Sequence, residues 1–270
     1  MNSVTVRGAQ ALYFDAGQPA KEGQPNIVFV HGSGCDHSVW AMQSRYFAFH
    51  GWNLFAVNLP GHGVGKKVSD GPALESVEDM AAWIIDLLDS LSVKTACIVG
   101  HSQGCLVSIE LATRYPDRIT HLVLIAGAMA IPVNEVLLDM SEQALEKAIA
   151  MLTSFGHGPE AHKYDHSLPG HSFIGFGERL MAVNNRNALK ADFTACNNYS
   201  NGRAAAASIS QPTLCILAHK DRNTPLKFGK MIAEAINDCT LEIIKNAGHM
   251  LPVERPLEVN AAMRTFLGNR

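Results

Sequence analysis

Three side chains far apart in this chain could share one piece of chemistry. Ser102 stands in Gly100-His101-Ser102-Gln103-Gly104. A serine hydroxyl is a weak nucleophile at neutral pH unless a base takes its proton as it attacks. His249, in the small-residue stretch Asn246-Ala247-Gly248-His249, is the candidate base. The chain has twelve histidines, so residue type alone selects none of them. His31 and His101 are bound up with backbone turns, and His219 lies beside the candidate acid. That acid is Asp221, in Ala218-His219-Lys220-Asp221. It would hold one tautomer of His249 and stabilise the imidazolium formed during reaction.

Each of these residues begins where a predicted strand stops. Residues 95–99 form a short apolar strand before Ser102, and 105–115 carry apolar residues at helical spacing after it. A serine on such a strand–turn–helix pivot sits in strained backbone with its hydroxyl exposed. The flanking glycines let strand and helix approach closely. Strands at 213–217 and 241–244 precede Asp221 and His249, with helices at 225–236 and 256–267. Earlier come a hairpin (4–6 and 11–14, with Gly8 at its turn) and strands at 27–30, 52–57 and 121–125. A helix at 75–91 lies between the last two. This alternation predicts an α/β fold, a mostly parallel central sheet flanked by helices, whose reactive groups gather at the strands' carboxyl ends. The rhythm stops between 129 and 210, where helical patterns at 134–152 and 179–196 surround a His-, Gly- and Pro-rich interval. That span is too long for an ordinary loop. The expected organisation is therefore a core domain of residues 1–128 and 211–270 with an inserted helical cap, residues 129–210.

With these motifs in place, residues 10–268 resemble the α/β-hydrolase fold family, and most nearly its small, cap-bearing serine esterases. The order Ser102, Asp221, His249 is the family's order of nucleophile, acid and histidine. The family's other acid position, after the strand at 121–125, is occupied here by Ala126-Gly127-Ala128. His31-Gly32-Ser33-Gly34 resembles the loop that helps build the oxyanion hole. The resemblance implies backbone N–H donors from Gln103 and Ser33, with Gly34 or Cys35 as alternatives to Ser33, and a structural His31. A P-loop is not implied, because its Lys and Ser/Thr are missing. Two departures stand out. Asn58 replaces a frequent Asp before Leu59-Pro60-Gly61-His62-Gly63, and Ala218-His219 replaces a glycine-containing turn before the acid.

The implied reaction is two-step hydrolysis of carboxylic esters through an acyl-enzyme, without metal or cofactor. A carbon–carbon bond hydrolase or acyltransferase with the same triad, or a small-ligand receptor on this fold, is the alternative. The histidines at 157, 162, 166 and 171 are irregularly spaced and lack an acidic partner set, so they predict no metal site. Cap residues Met129, Phe155, Phe173, Phe176 and Met181, with Gly34, are the pocket candidates. They suggest short- to medium-chain or small apolar esters. No arginine cluster awaits a large anion. Net charge is −3 and basic runs are absent, which argues against nucleic-acid partners. No stretch reaches the ~20 apolar residues of a membrane span. The six cysteines form no CxxC, and no signal-peptide pattern opens the chain. A reduced, cytoplasmic enzyme, monomer or homodimer, acting on a small-molecule ester is expected.

Overall fold

Strands here are apolar on successive residues because both faces of the sheet are covered. In Asn26–Val30, Ile27 and Phe29 pack into one cluster while Val28 and Val30 pack into the other. Cys97 and Val99 alternate with Ile98 in the same way, as do Val123 and Ile125 with Leu122 and Leu124. This period-two division of a continuous apolar run is the physical signature of a central strand.

The computed structural model describes residues 1–64, 67–163 and 172–268. The strands are β1 (Asn2–Val6), β2 (Ala9–Phe14), β3 (Asn26–Val30), β4 (Asn53–Val57), the short pair β5 (Gly63–Val64) and β6 (Lys67–Val68), β7 (Ala96–His101), β8 (Ile119–Ile125), β9 (Thr213–Ala218) and β10 (Cys239–Ile244). Eight of them form one sheet in the order β1-β2-β4-β3-β7-β8-β9-β10. It is antiparallel across β1, β2 and β4 and parallel from β4 to β10. The expected α/β architecture is what the chain adopts.

The helices of the first half are α1 (Ala41–Phe49), α2 (Val77–Ser90) and α3 (Gln103–Arg114). Ser76 caps α2 by accepting from the Asp79 N–H at 3.0 Å, and Glu78 and Asp79 suit the positive end of the helix dipole. Between β8 and β9 lie α4 (Glu135–Gln143), α5 (Leu145–Gly156), α6 (Pro159–Lys163), α7 (Phe173–Ala182), α8 (Ala188–Asn198) and α9 (Gly202–Ser208). The chain closes with α10 (Leu226–Ala235), α11 (Leu251–Glu254) and α12 (Pro256–Leu267). Helices α2, α3 and α10 cover one face of the sheet; α1 and α12 cover the other.

The segment between β8 and β9 departs from the periodicity reading in two places. The single helix predicted over 134–152 is two, broken at Ala144, whose backbone leaves the helical region (φ −145°, ψ 55°). The helix predicted over 179–196 is the end of α7 and most of α8. The Asn-rich turn between them is fixed by Asn184, which donates to Gly34 O at 2.6 Å and accepts from Gly63 N–H at 2.7 Å. Asparagine competes for backbone partners in this way and so interrupts a helix whose apolar spacing continues. No helix among the described residues is long and apolar enough to cross a membrane.

Candidate active site

The backbone at the end of β7 is forced into an unusual shape by close packing. Ser102 has φ 54° and ψ −119°, a left-handed conformation rare for a residue with a Cβ. A Cβ on Gly100 would lie 2.2 Å from Gly104 O, and one on Gly104 would lie 2.3 Å from Val30 O. Glycine at both positions is therefore a steric requirement of the crossing between β3, β7 and α3. Ser102 emerges at the N-terminus of α3 and lines a cavity of about 300 Å³.

His249 lines the same cavity. Its Nδ1 lies 2.9 Å from Asp221 Oδ2, so the two loops that follow β9 and β10 meet. Asp221 also accepts N–H bonds from Asn223 and Thr224, each at 2.9 Å. Burial pushes its pKa up, but the His249 ring and the Thr224 donors outweigh that and the net shift is downward. Thr224 Oγ lies 2.7 Å from Ala126 O and 2.9 Å from Asp221 Oδ2, tying the acid to the end of β8. The Ala218-His219 turn is anchored as well: His219 N–H donates to Ile244 O and Lys220 N–H to Ala247 O, both at 3.0 Å.

The histidine loop is held from below and above. His101 Nε2 lies 2.9 Å from the His249 carbonyl oxygen. Burial, helped by the nearby His249 ring, lowers the His101 pKa to about 3, so it is a neutral donor to that carbonyl. From above, His249 N–H donates to Gly156 O at 2.6 Å. Buried Glu254 accepts from Gly158 N–H at 2.9 Å and from Gly248 N–H at 3.2 Å.

The His31-Gly32-Ser33-Gly34 loop distinguishes the three donor alternatives. Gly34 N–H donates to Asp192 Oδ2 at 2.7 Å, and Cys35 N–H donates to Gly32 O at 3.1 Å. The N–H groups of Ser33 and Gln103 engage no acceptor among the described residues. His31 is held between Gly32 O at 2.9 Å and Leu59 N–H at 3.2 Å, and burial lowers its pKa to about 3. Asn58, the departure from a frequent Asp, accepts from His37 N–H at 2.9 Å.

Two pocket candidates, Phe155 and Met181, line the cavity. Gly34, Met129, Phe173 and Phe176 do not belong to its wall. Gly34 lies behind the loop against Leu189 and Met181, and Met129 packs onto the core beside α3. Phe176 packs toward the opposite core cluster, and the Phe173 ring is centred 6.4 Å from that of His157. Helical spacing marks these residues as apolar but cannot say which apolar face looks inward. Histidines 166 and 171 lie outside the described residues.

Sequence reasoning missed Asp192 on α8. It is fully buried, binds Gly34 N–H, and faces His62 Nε2 at 3.0 Å. Its carbonyl also accepts from Gln103 Nε2 at 3.0 Å. Burial opposes a charge on His62, yet the Asp192 carboxylate raises its pKa overall. The available signal was an acid set between the apolar residues Ala191 and Phe193, since such a residue is buried only with a partner.

Known proteins extend the picture. The profile of the alpha/beta hydrolase family matches residues 27–262. An (E)-2-((N-methylformamido)methylene)succinate hydrolase of Acinetobacter baylyi is 24% identical over 268 residues, covering 95% of this chain and 94% of that protein. A pimeloyl-[acyl-carrier protein] methyl ester esterase of Aromatoleum aromaticum is 28% identical, covering 84% and 91%. Among solved structures, an enol-lactonase from Burkholderia xenovorans has a TM-score of 0.88 at 21% identity and covers 98% of this chain and 99% of that one.

Proposed function

This chain belongs to the alpha/beta hydrolase family, and from that premise we propose that it hydrolyses small carboxylic esters through Ser102, His249 and Asp221. The observation that carries the reading is the 2.9 Å contact of His249 Nδ1 with Asp221 Oδ2 at the wall of the cavity that Ser102 enters. In this reading His249 takes the Ser102 proton as Oγ attacks the ester carbonyl. The tetrahedral oxyanion is met by the N–H groups of Ser33 and Gln103, each donor contributing roughly 3–4 kcal/mol to barrier lowering. His249 then protonates the departing alcohol, and water activated by the same imidazole releases the acid from the acyl-enzyme.

The cavity supports small substrates. Its volume is about 300 Å³ and its wall includes Ile131, Val133, Leu137, Leu152 and Phe193. The esterase and the hydrolases among the relatives fit cleavage of a carbonyl-attached bond. A panel of chromogenic esters of increasing acyl length, run on the wild type and on Ser102→Ala, tests the proposal. Turnover lost in the variant, with its melting temperature retained, is expected. Turnover that survives in Ser102→Ala, or a wild type that neither turns over esters nor takes a fluorophosphonate label on Ser102, overturns it.

A further inference from the structure

The cavity is apolar over most of its wall, but its charge is one-sided. Among the described residues no Asp or Glu lines it, whereas Arg222 does. Arg222 follows the candidate acid directly. Its Nε donates to Phe155 O at 3.2 Å and its Nη2 to Ser154 O at 2.9 Å. The guanidinium carbon sits 4.4 Å from the centre of the Phe155 ring, another wall residue. These three contacts fix the plane of the guanidinium. They leave Nη1 without an acceptor among the described residues.

The partners that hold Arg222 are two carbonyls and a ring face, none of which neutralises its charge. The last carbonyls of α5 explain why an arginine is favourable there. They do not explain why it is bordered by further cationic and imidazole groups rather than acids. On its outer side Arg222 borders a groove that also contains Lys220, His162 and His219. Asp221, the one carboxylate among the residues lining that groove, is engaged with His249. Arg222 is solvent-exposed, at the rim where the cavity meets that groove. A guanidinium held in one plane there still attracts a carboxylate more than a neutral group, by an amount that solvent and salt reduce. Asn223 lines the same wall and its side-chain amide engages no partner among the described residues, so a second neutral donor is at hand.

We propose that the substrate carries a carboxylate remote from the scissile ester, bound by Arg222, so that the class is half-esters of dicarboxylic acids. This rests on the hydrolase reading and deepens it: Ser102 reacts at one end of the molecule while Arg222 reads the other. Discrimination comes from the free Nη1 and from the absence of a competing acid in the described wall.

The test compares monomethyl succinate, glutarate and adipate with methyl esters of the monocarboxylic acids of matching length. Both series are run on the wild type, Arg222→Met and Arg222→Lys. Methionine keeps an apolar stem against Phe155 and removes the charge. The expected result is a wild-type preference, in kcat/KM, for at least one half-ester over its neutral match. That ratio should fall about tenfold in Arg222→Met, mostly through KM, and recover in part in Arg222→Lys. Added salt should erode the same ratio. A purely structural tether predicts equal losses for both series, and that outcome overturns the inference. Ser102-dependent turnover of neutral esters without any half-ester preference also overturns it while the hydrolase reading stands. No Ser102-dependent turnover of either series overturns both.

Discussion

At the scale of single residues, polar atoms in the site are divided between those that are spoken for and those that are free. Asp221 is saturated by its own turn and by His249, so its carboxylate is oriented before any substrate arrives. Asp221→Asn keeps the shape but offers an amide where a charge held one imidazole tautomer. The expected loss in kcat is about 10⁴-fold, with little change in melting temperature; ester turnover and thermal unfolding on the same preparation check it. Asp192 acts one step back, through Gly34 N–H and His62. Asp192→Ala leaves the Gly34 N–H and His62 Nε2 buried without a partner, although His62 Nδ1 keeps Pro60 O. Breaking a buried pair in this way costs about 3–5 kcal/mol of stability. Because Gly34 adjoins Ser33, the loop should also lose its set, lowering kcat about tenfold to hundredfold with a smaller change in KM. Asp192→Asn, which can still accept from Gly34 N–H, should restore much of kcat without restoring the carboxylate beside His62. If Asn and Ala variants lose kcat equally, Asp192 supports the fold and does not position the loop.

At the scale of elements, what could be read in advance depends on how locally each feature is determined. The strands were legible because their apolar runs are continuous, and the turn at Ser102 because two glycines and a serine recur at a spacing that packing enforces. The loop positions of Asp221 and His249 followed from the strands before them. Their meeting is a consequence of β9 pairing in parallel with β10, where Ile244 lies opposite Ala218. Helix boundaries between β8 and β9 were not legible. Ala144 is a good helix former, and only its tertiary setting breaks the chain there. The cavity wall was half legible for a similar reason, since Phe155 and Phe176 have the same composition signal and opposite destinations. Steric need is the sharper guide at the crossing of β3, β7 and α3. Gly104→Ala would press a methyl group against the Val30 carbonyl, which cannot retreat without unpairing β3. Loss of soluble protein, or a melting temperature lowered by about 10 °C or more, is expected. Gly8→Ala in the open hairpin turn is the control: its Cβ would meet nothing within 4 Å, so only its positive φ is penalised.

At the scale of the whole molecule, the design that builds the site also makes the fold sensitive to acid. His31 and His101 flank the two loops around Ser102, and burial lowers the pKa of each to about 3. Above the ordinary histidine value both are neutral folded or unfolded, and their stability contribution is fully present. As pH falls below about 6.5, the unfolded chain gains two protons that the folded chain refuses until near pH 3. Stability should therefore drop across pH 6 to 4, by up to about 3 kcal/mol per pH unit if each histidine contributes one full proton. His62 has the opposite sign: its raised pKa contributes below the unfolded value and is lost as pH rises through the folded one. Asp221, shifted down, loses its contribution only below the ordinary carboxylate range, so neither cancels the histidine effect between pH 6 and 4. Urea unfolding followed by tryptophan fluorescence at a series of pH values measures the slope, and a flat profile would refute it. The consequence for activity is kinetic. Protonation of a single side chain reverses at once when pH is restored, whereas unfolding reverses on the timescale of refolding. Enzyme held at pH 4.5 and returned to pH 7.5 should thus recover activity with a lag, in step with the return of native fluorescence.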